Sequence, residues 1–133
     1  MTTRRGRTQR CDRQQAQTRL DNAQKAFDVA ELAAAEHEIP ASRSVAAALA
    51  VLAGIAASDA ACCAARGEDH REASSLLRQI VPAGDRAAKA LLDLLNLKDT
   101  AQYGLIPITA SQLTTTLLRA RTLIEFATGV LRR

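Results

Sequence analysis

The chain has 133 residues, the size of one ordinary domain, and 47% of them are hydrophobic, enough for a packed core. Alanine is its commonest residue and its aromatic residues are Phe27, Tyr103 and Phe126, so a core built on bulky rings is excluded. The formal charge of +4 is uneven: residues 1–19 hold six arginines against Asp12, and the remainder is close to neutral.

An alanine- and leucine-rich chain with few β-branched or aromatic runs reads as all-α, because alanine is the best helix former. The pattern predicts an antiparallel bundle of about five helices. Residues 1–9 read as a basic flexible tail, and residues 10–133 as a single helical-bundle domain.

The first helix is predicted from about Arg10 to His37. Ala16, Leu20, Ala23, Phe27, Ala30 and Ala34 alternate four and three residues apart, a narrow helical seam. Pro40 biases Ile39 away from helix and ends the segment. The second helix is predicted from about Arg43 to Ala65 with Ser42 as N-cap. Val45, Leu49, Leu52, Ile55 and Cys62 mark its richest side. Nearly every other position is also apolar or small, and a helix apolar all round is surrounded by others. The stretch Val45–Ala65 is about long enough to span a bilayer, but Asp59 would cost roughly 2.5–3.5 kcal/mol there, so a central soluble helix is the better reading.

Gly67 breaks the chain. Asp69 and Glu72 have the spacing of a capping box, which predicts a third helix from about His70 to Val81 burying Ala73, Leu76, Leu77 and Ile80. Pro82-Ala83-Gly84 stops it. Asp85 is the expected cap of a fourth helix that runs to Tyr103, with Leu91, Leu92, Leu94, Leu95 and Leu97 in the core. Gly104 is placed for a left-handed C-terminal residue. Thr109 and Gln112 form a second capping box and open a fifth helix, Ala110–Leu131. Its seam of Leu113, Leu117, Ala120, Ile124, Ala127 and Leu131 matches that of the first helix.

Four features bear on function. Arg66-x-x-x-His70 places a guanidinium near an imidazole at a predicted helix start, where helix polarity disfavours the charged ring. Such a neutral imidazole can take a proton from a ribose hydroxyl while the arginine steadies the phosphate. The competing reading is two unrelated residues at a turn. Asp59, inside an apolar helix, is expected at an interface or paired, with Lys98, Arg66, His70 or a symmetry mate as partners. The three cysteines, Cys11, Cys62 and Cys63, contain no C-x-x-C spacing. They read as reduced, packed thiols of a cytoplasmic protein, with no zinc site. Finally, Arg4, Arg5, Arg7, Arg10 and Arg13 can neutralise phosphates without reading sequence, since no aromatics interleave them for base stacking. No metal or other cofactor is expected, and no membrane partner.

The order of parts, "ASDAACCAARG", "DHREASSLL", "LLNLKDTAQYG" and "SQLTTTLLRARTLIEFATGVL", resembles the HEPN superfamily of small helical bundles over roughly residues 20–131. The best local match is "LKDTAQYG", similar to the family's R-x-x-A-(D/H)-Y-G segment. The resemblance implies a homodimer with a polar groove between protomers. It also implies a setting of toxin–antitoxin or defence systems, where many members are metal-independent ribonucleases paired with a nucleotidyltransferase-type antitoxin. Their signature is an arginine, four to six residues, then a histidine. Here Lys98 stands for the arginine, and Gln102 or Tyr103 for the histidine. Arg66 and His70 are separated by only three residues. The groove candidates are therefore Asp59, Arg66, His70, Lys98, Gln102 and Tyr103, and the expected function is a non-catalytic module binding nucleic acid, nucleotide or a cognate protein. The alternatives are a ribonuclease using Arg66 and His70, and a structural homodimer.

Overall fold

In the computed structural model the described residues are 8–66, 68–70, 73–104 and 106–133; for 8–9, 66, 68–70, 73, 102 and 103 the description extends to the backbone alone. The architecture is an all-α bundle. Among the described residues five helices are formed: α1 Arg13–Ala34, α2 Pro40–Arg66, α3 Ala73–Arg78, α4 Gly84–Tyr103 and α5 Ala110–Leu131. A two-stranded ribbon, β1 Thr8–Arg10 and β2 Glu68–His70, is added at one end. α2 is the hub and packs against α1, α4 and α5; α5 also lies along α1 and α4, and the short α3 packs mainly on α4. α1, α2, α4 and α5 alternate in direction.

The seam of α1 is buried as its spacing requires: Ala16, Leu20, Ala23, Phe27 and Ala30 all enter the core. Asp12 caps this helix. Its carboxylate accepts from the Gln15 N–H at 2.8 Å, while Gln15 Oε1 accepts from the Asp12 N–H at 2.9 Å. The D-x-x-Q spacing is a readable capping box, and it moves the start from Arg10 to Arg13. α5 opens as expected, with Thr109 and Gln112 bonded reciprocally.

α2 begins at Pro40, which fits the first helical position because it has no N–H to leave unbonded. Ser42 is therefore inside the helix, not its cap, and its hydroxyl donates to Glu36 Oε1. The segment Pro40–Ala65 is long and apolar enough to cross a membrane, and 61% of its most apolar window is buried by the other helices. The buried side is made of small residues: Ala46, Ala47, Ala50, Ala53, Ala57, Ala60 and Ala61 are inaccessible. The predicted rich side divides: Cys62 is fully buried, Leu49 and Ile55 are partly buried against the core, and the other two residues are exposed. Val45 is 53% and Leu52 47% exposed. Small inner residues let α2 approach its neighbours closely. At Gly54 even a methyl group would lie 2.2 Å from Leu94 Cδ1 and 3.2 Å from Leu123 Cδ1.

The third helix is shorter than predicted. Glu68–His70 pairs antiparallel with Thr8–Arg10, in the register Thr8–His70, Gln9–Asp69 and Arg10–Glu68. Asp69 is thus extended chain and does not cap a helix at His70; Glu72 lies outside the described residues. α4 starts at Gly84 behind Ala83, which takes a left-handed φ of 72° and makes no side-chain cap; Asp85 sits one residue inside the helix. There its charge still faces the positive end of the helix. Gly104 is extended, φ −68°, rather than left-handed. Of the five leucines expected in the core, Leu91 and Leu94 are buried, whereas Leu92 and Leu95 are exposed.

The two ends of the bundle are fastened differently. At one, Cys11 and Cys63 form a disulfide across 52 residues, which corrects the expectation of separately packed thiols. Cys62 is buried and is not part of it. At the other, Arg43 spans three segments. Its Nε donates to the Ile108 carbonyl at 2.6 Å and its Nη1 to the His37 carbonyl at 2.7 Å.

Candidate functional site

The disulfide end is a basic pole. Arg13, the first residue of α1, donates through Nη1 to the Leu131 carbonyl at 2.7 Å and through Nη2 to the Arg133 carbonyl at 3.2 Å. Arg133 Nη1 donates in turn to the Val81 carbonyl at 2.8 Å. These bonds gather the start of α1, the end of α5 and the α3–α4 connection. Arg78 closes α3 at the same end, and Arg66 closes α2. Arg10, Arg13, Arg78, Arg132 and Arg133 are exposed. Among the described residues the acids here are Asp12, Glu68, Asp69 and Asp85, fewer than the arginines. A surface with this imbalance attracts phosphate over several ångströms, and the attraction fades as salt is added.

The strand pairing and the disulfide fix where Arg10 lies. Because β1 is hydrogen-bonded to β2 and Cys11 is tied to Cys63, the chain enters the bundle at this pole, beside His70 and Arg66. Residues 8–9, expected in the tail, belong to the ribbon. Arg4, Arg5 and Arg7 lie outside the described residues; Arg10 ends the strand opposite Glu68.

The predicted groove residues do not assemble in one chain. Arg66 and His70 are at the basic pole. Lys98, Gln102 and Tyr103 are in the last turns of α4, where Ala101 packs with Ala46, Ala47, Ile108 and Leu113 at the start of α2 and α5. Twenty helical residues separate Ala46 from Arg66, which places the two sets about 30 Å apart at 1.5 Å per residue. His70 stands in a strand rather than at a helix start, so the helix-polarity argument for a neutral imidazole does not apply to it. Asp59 is paired with Arg19 of α1, 3.5 Å away; the side chains of Arg66 and His70, two of its expected partners, lie outside the described residues. Arg19 is legible in the sequence only as a polar-face residue of the first helix. Arg78, Arg132 and Arg133 escape a sequence reading because they are far apart in sequence from the tail they join.

Among the described residues, no group of three or more His, Cys, Asp or Glu side chains is arranged to hold a metal ion. No protein-family profile, no curated protein and no solved structure matches the chain.

Proposed function

We propose that this protein is a non-catalytic, HEPN-like helical module that binds nucleic acid through its basic pole, in a toxin–antitoxin or defence setting with a cognate antitoxin or nucleotidyltransferase-type partner. One observation carries the nucleic-acid part. Arg13 bridges the start of α1 to the final carbonyls of α5, so Arg10 and Arg13 share one end of the bundle with Arg132 and Arg133. Arginines on such a surface displace counterions from phosphates, and the binding they give is sequence-tolerant and steeply salt-dependent. The test is a salt titration of binding to single-stranded RNA and to duplex DNA. The variant would replace Arg4, Arg5, Arg7 and Arg10 with Gln. The parent should lose affinity steeply with salt, and the variant should show a shallower slope, by about 0.7–0.9 for each phosphate that is no longer neutralised. No salt-dependent retention of either nucleic acid would leave protein partners alone.

A second reading, a homodimer, rests on a different surface. Val45 and Leu52, each about half exposed, stand seven residues apart on one side of α2, the spacing of a helix–helix seam. Sedimentation of the parent beside Leu52→Glu tests it. The ribonuclease alternative with Arg66 and His70 is tested by RNA cleavage in EDTA, parent against His70→Ala; cleavage that depends on His70 would replace the non-catalytic reading. The cytoplasmic placement rests on reduced thiols, and Cys11 and Cys63 do not supply that ground.

A further inference from the structure

A second feature lies along the flank between α4 and α5. Two cavities of about 210 Å³ each open there and meet at Asp93 and Arg119. One is lined by Arg86, Lys89, Ala90 and Thr122 besides that pair. The other is lined by Leu94 and Leu97 from α4 and by Ser111, Gln112, Thr115 and Thr116 from α5. The gap has a cause in the sequence. Where two antiparallel helices usually interleave large side chains, α5 presents short hydroxyl residues at successive turns. Thr116 and Thr122 turn their hydroxyls onto their own helix, donating to the Gln112 and Leu118 carbonyls. They therefore fill little of the space.

The charges of the groove do not balance. Arg119 Nε donates to Asp93 Oδ2 at 3.0 Å, and Lys89 Nζ approaches Asp93 Oδ1 at 3.9 Å. One carboxylate thus serves two cations, and Arg86 adds a third at the same cavity. The positive end of the groove adjoins the apolar floor of Leu94 and Leu97 with hydroxyls at its rim. A site lined by apolar surface and a few convergent polar groups is the form that small-molecule pockets take; each cavity alone is below their usual size of roughly 300–1,000 Å³, and the two together fall in its lower part.

We infer that the α4–α5 groove is a binding site for a small organic anion, its acidic head held by Arg86, Lys89 and Arg119 and its apolar body lying on Leu94 and Leu97. Asp93 then has a definite role. It holds Arg119 in place across the groove, and it competes with the ligand's head for the same cations. A merely structural ion pair predicts no gain on its removal; a competing one predicts tighter binding.

The experiment uses the full chain and anilinonaphthalene sulfonate, an anion with an apolar body whose fluorescence rises on binding. Circular dichroism checks that each variant keeps the parent's helix content. The parent should bind the probe saturably at one site, more weakly as salt is added. Lys89→Gln should weaken binding about twofold and Asp93→Asn should strengthen it about two- to fivefold, the range expected of partly exposed charges. Leu97→Asp should abolish it, and Arg132→Gln, at the basic pole, should change nothing. Lys89 is 77% exposed, so its replacement does not endanger the fold. Absence of saturable binding, weaker binding in Asp93→Asn, or equal binding by all variants would overturn the assignment.

Discussion

The inner and outer sides of α2 have opposite compositions from the usual ones. Inside, against α1, α4 and α5, stand mostly alanines and Gly54, with Val51 and Cys62 among them; outside stand Val45 and Leu52. An ordinary amphipathic helix turns its large apolar residues inward. Here closeness of approach takes the place of side-chain bulk. Each alanine buries little area, but the helices it separates come near enough for backbone and Cβ atoms to attract one another by dispersion. The larger residues are left for a surface that another molecule can cover. The difference teaches that hydrophobicity and burial are separable along one helix, and that the small residues set the packing of this bundle.

Four measurements sharpen that contrast. The largest effect is expected where α2 is fastened covalently. Cys63→Ala removes a bridge across 52 residues, and loop-closure entropy alone sets the loss at about 4 kcal/mol, read as a lower urea midpoint. The same loss should appear when the parent is unfolded in a thiol reductant. Next comes the inner side. Ala57→Leu should cost about 1–3 kcal/mol by overpacking, because no neighbouring space exists to receive the added carbons. A smaller effect is expected from Asp59→Ala, which leaves Arg19 of the partly exposed pair behind. Roughly 0–1 kcal/mol should be lost, and less at high salt. Least of all, Leu52→Ser on the outer side should change monomer stability by about 0.5 kcal/mol or less. A large loss there would mean that the outer face is covered within the fold. A neutral Ala57→Leu would mean that the inner face is not close-packed.

Much of the fold can be read from local pattern. The seams of α1 and α5 have one apolar side each, so spacing alone assigns their inward direction. Thr109 and Gln112 cap within four residues of each other. α2 offers no such guide, because alternating sizes within an all-apolar helix do not say which side faces in. Its rich stripe therefore straddles the boundary between the buried and the exposed side. Gly67 and the acidic residues after it resemble a helix start, yet a partner distant in sequence, Thr8–Arg10, draws Glu68–His70 into a strand. The same non-locality hides the Cys11–Cys63 bridge and the Asp59–Arg19 pair. The candidate site is legible in its ingredients, the N-terminal arginines and His70, but not in its arrangement. Lys98, Gln102 and Tyr103 join it only by family resemblance, and one chain holds them at the opposite end.

Arg43 shows how narrowly one position can be constrained without touching any ligand. A guanidinium has several N–H groups fixed in a plane, and here two of them reach carbonyls from the first and last connections of the bundle. A lysine has the same charge but a single nitrogen on a flexible stem. Its three N–H groups could reach both carbonyls only from one point, so the fixed spacing that the planar guanidinium holds between the two connections would be lost.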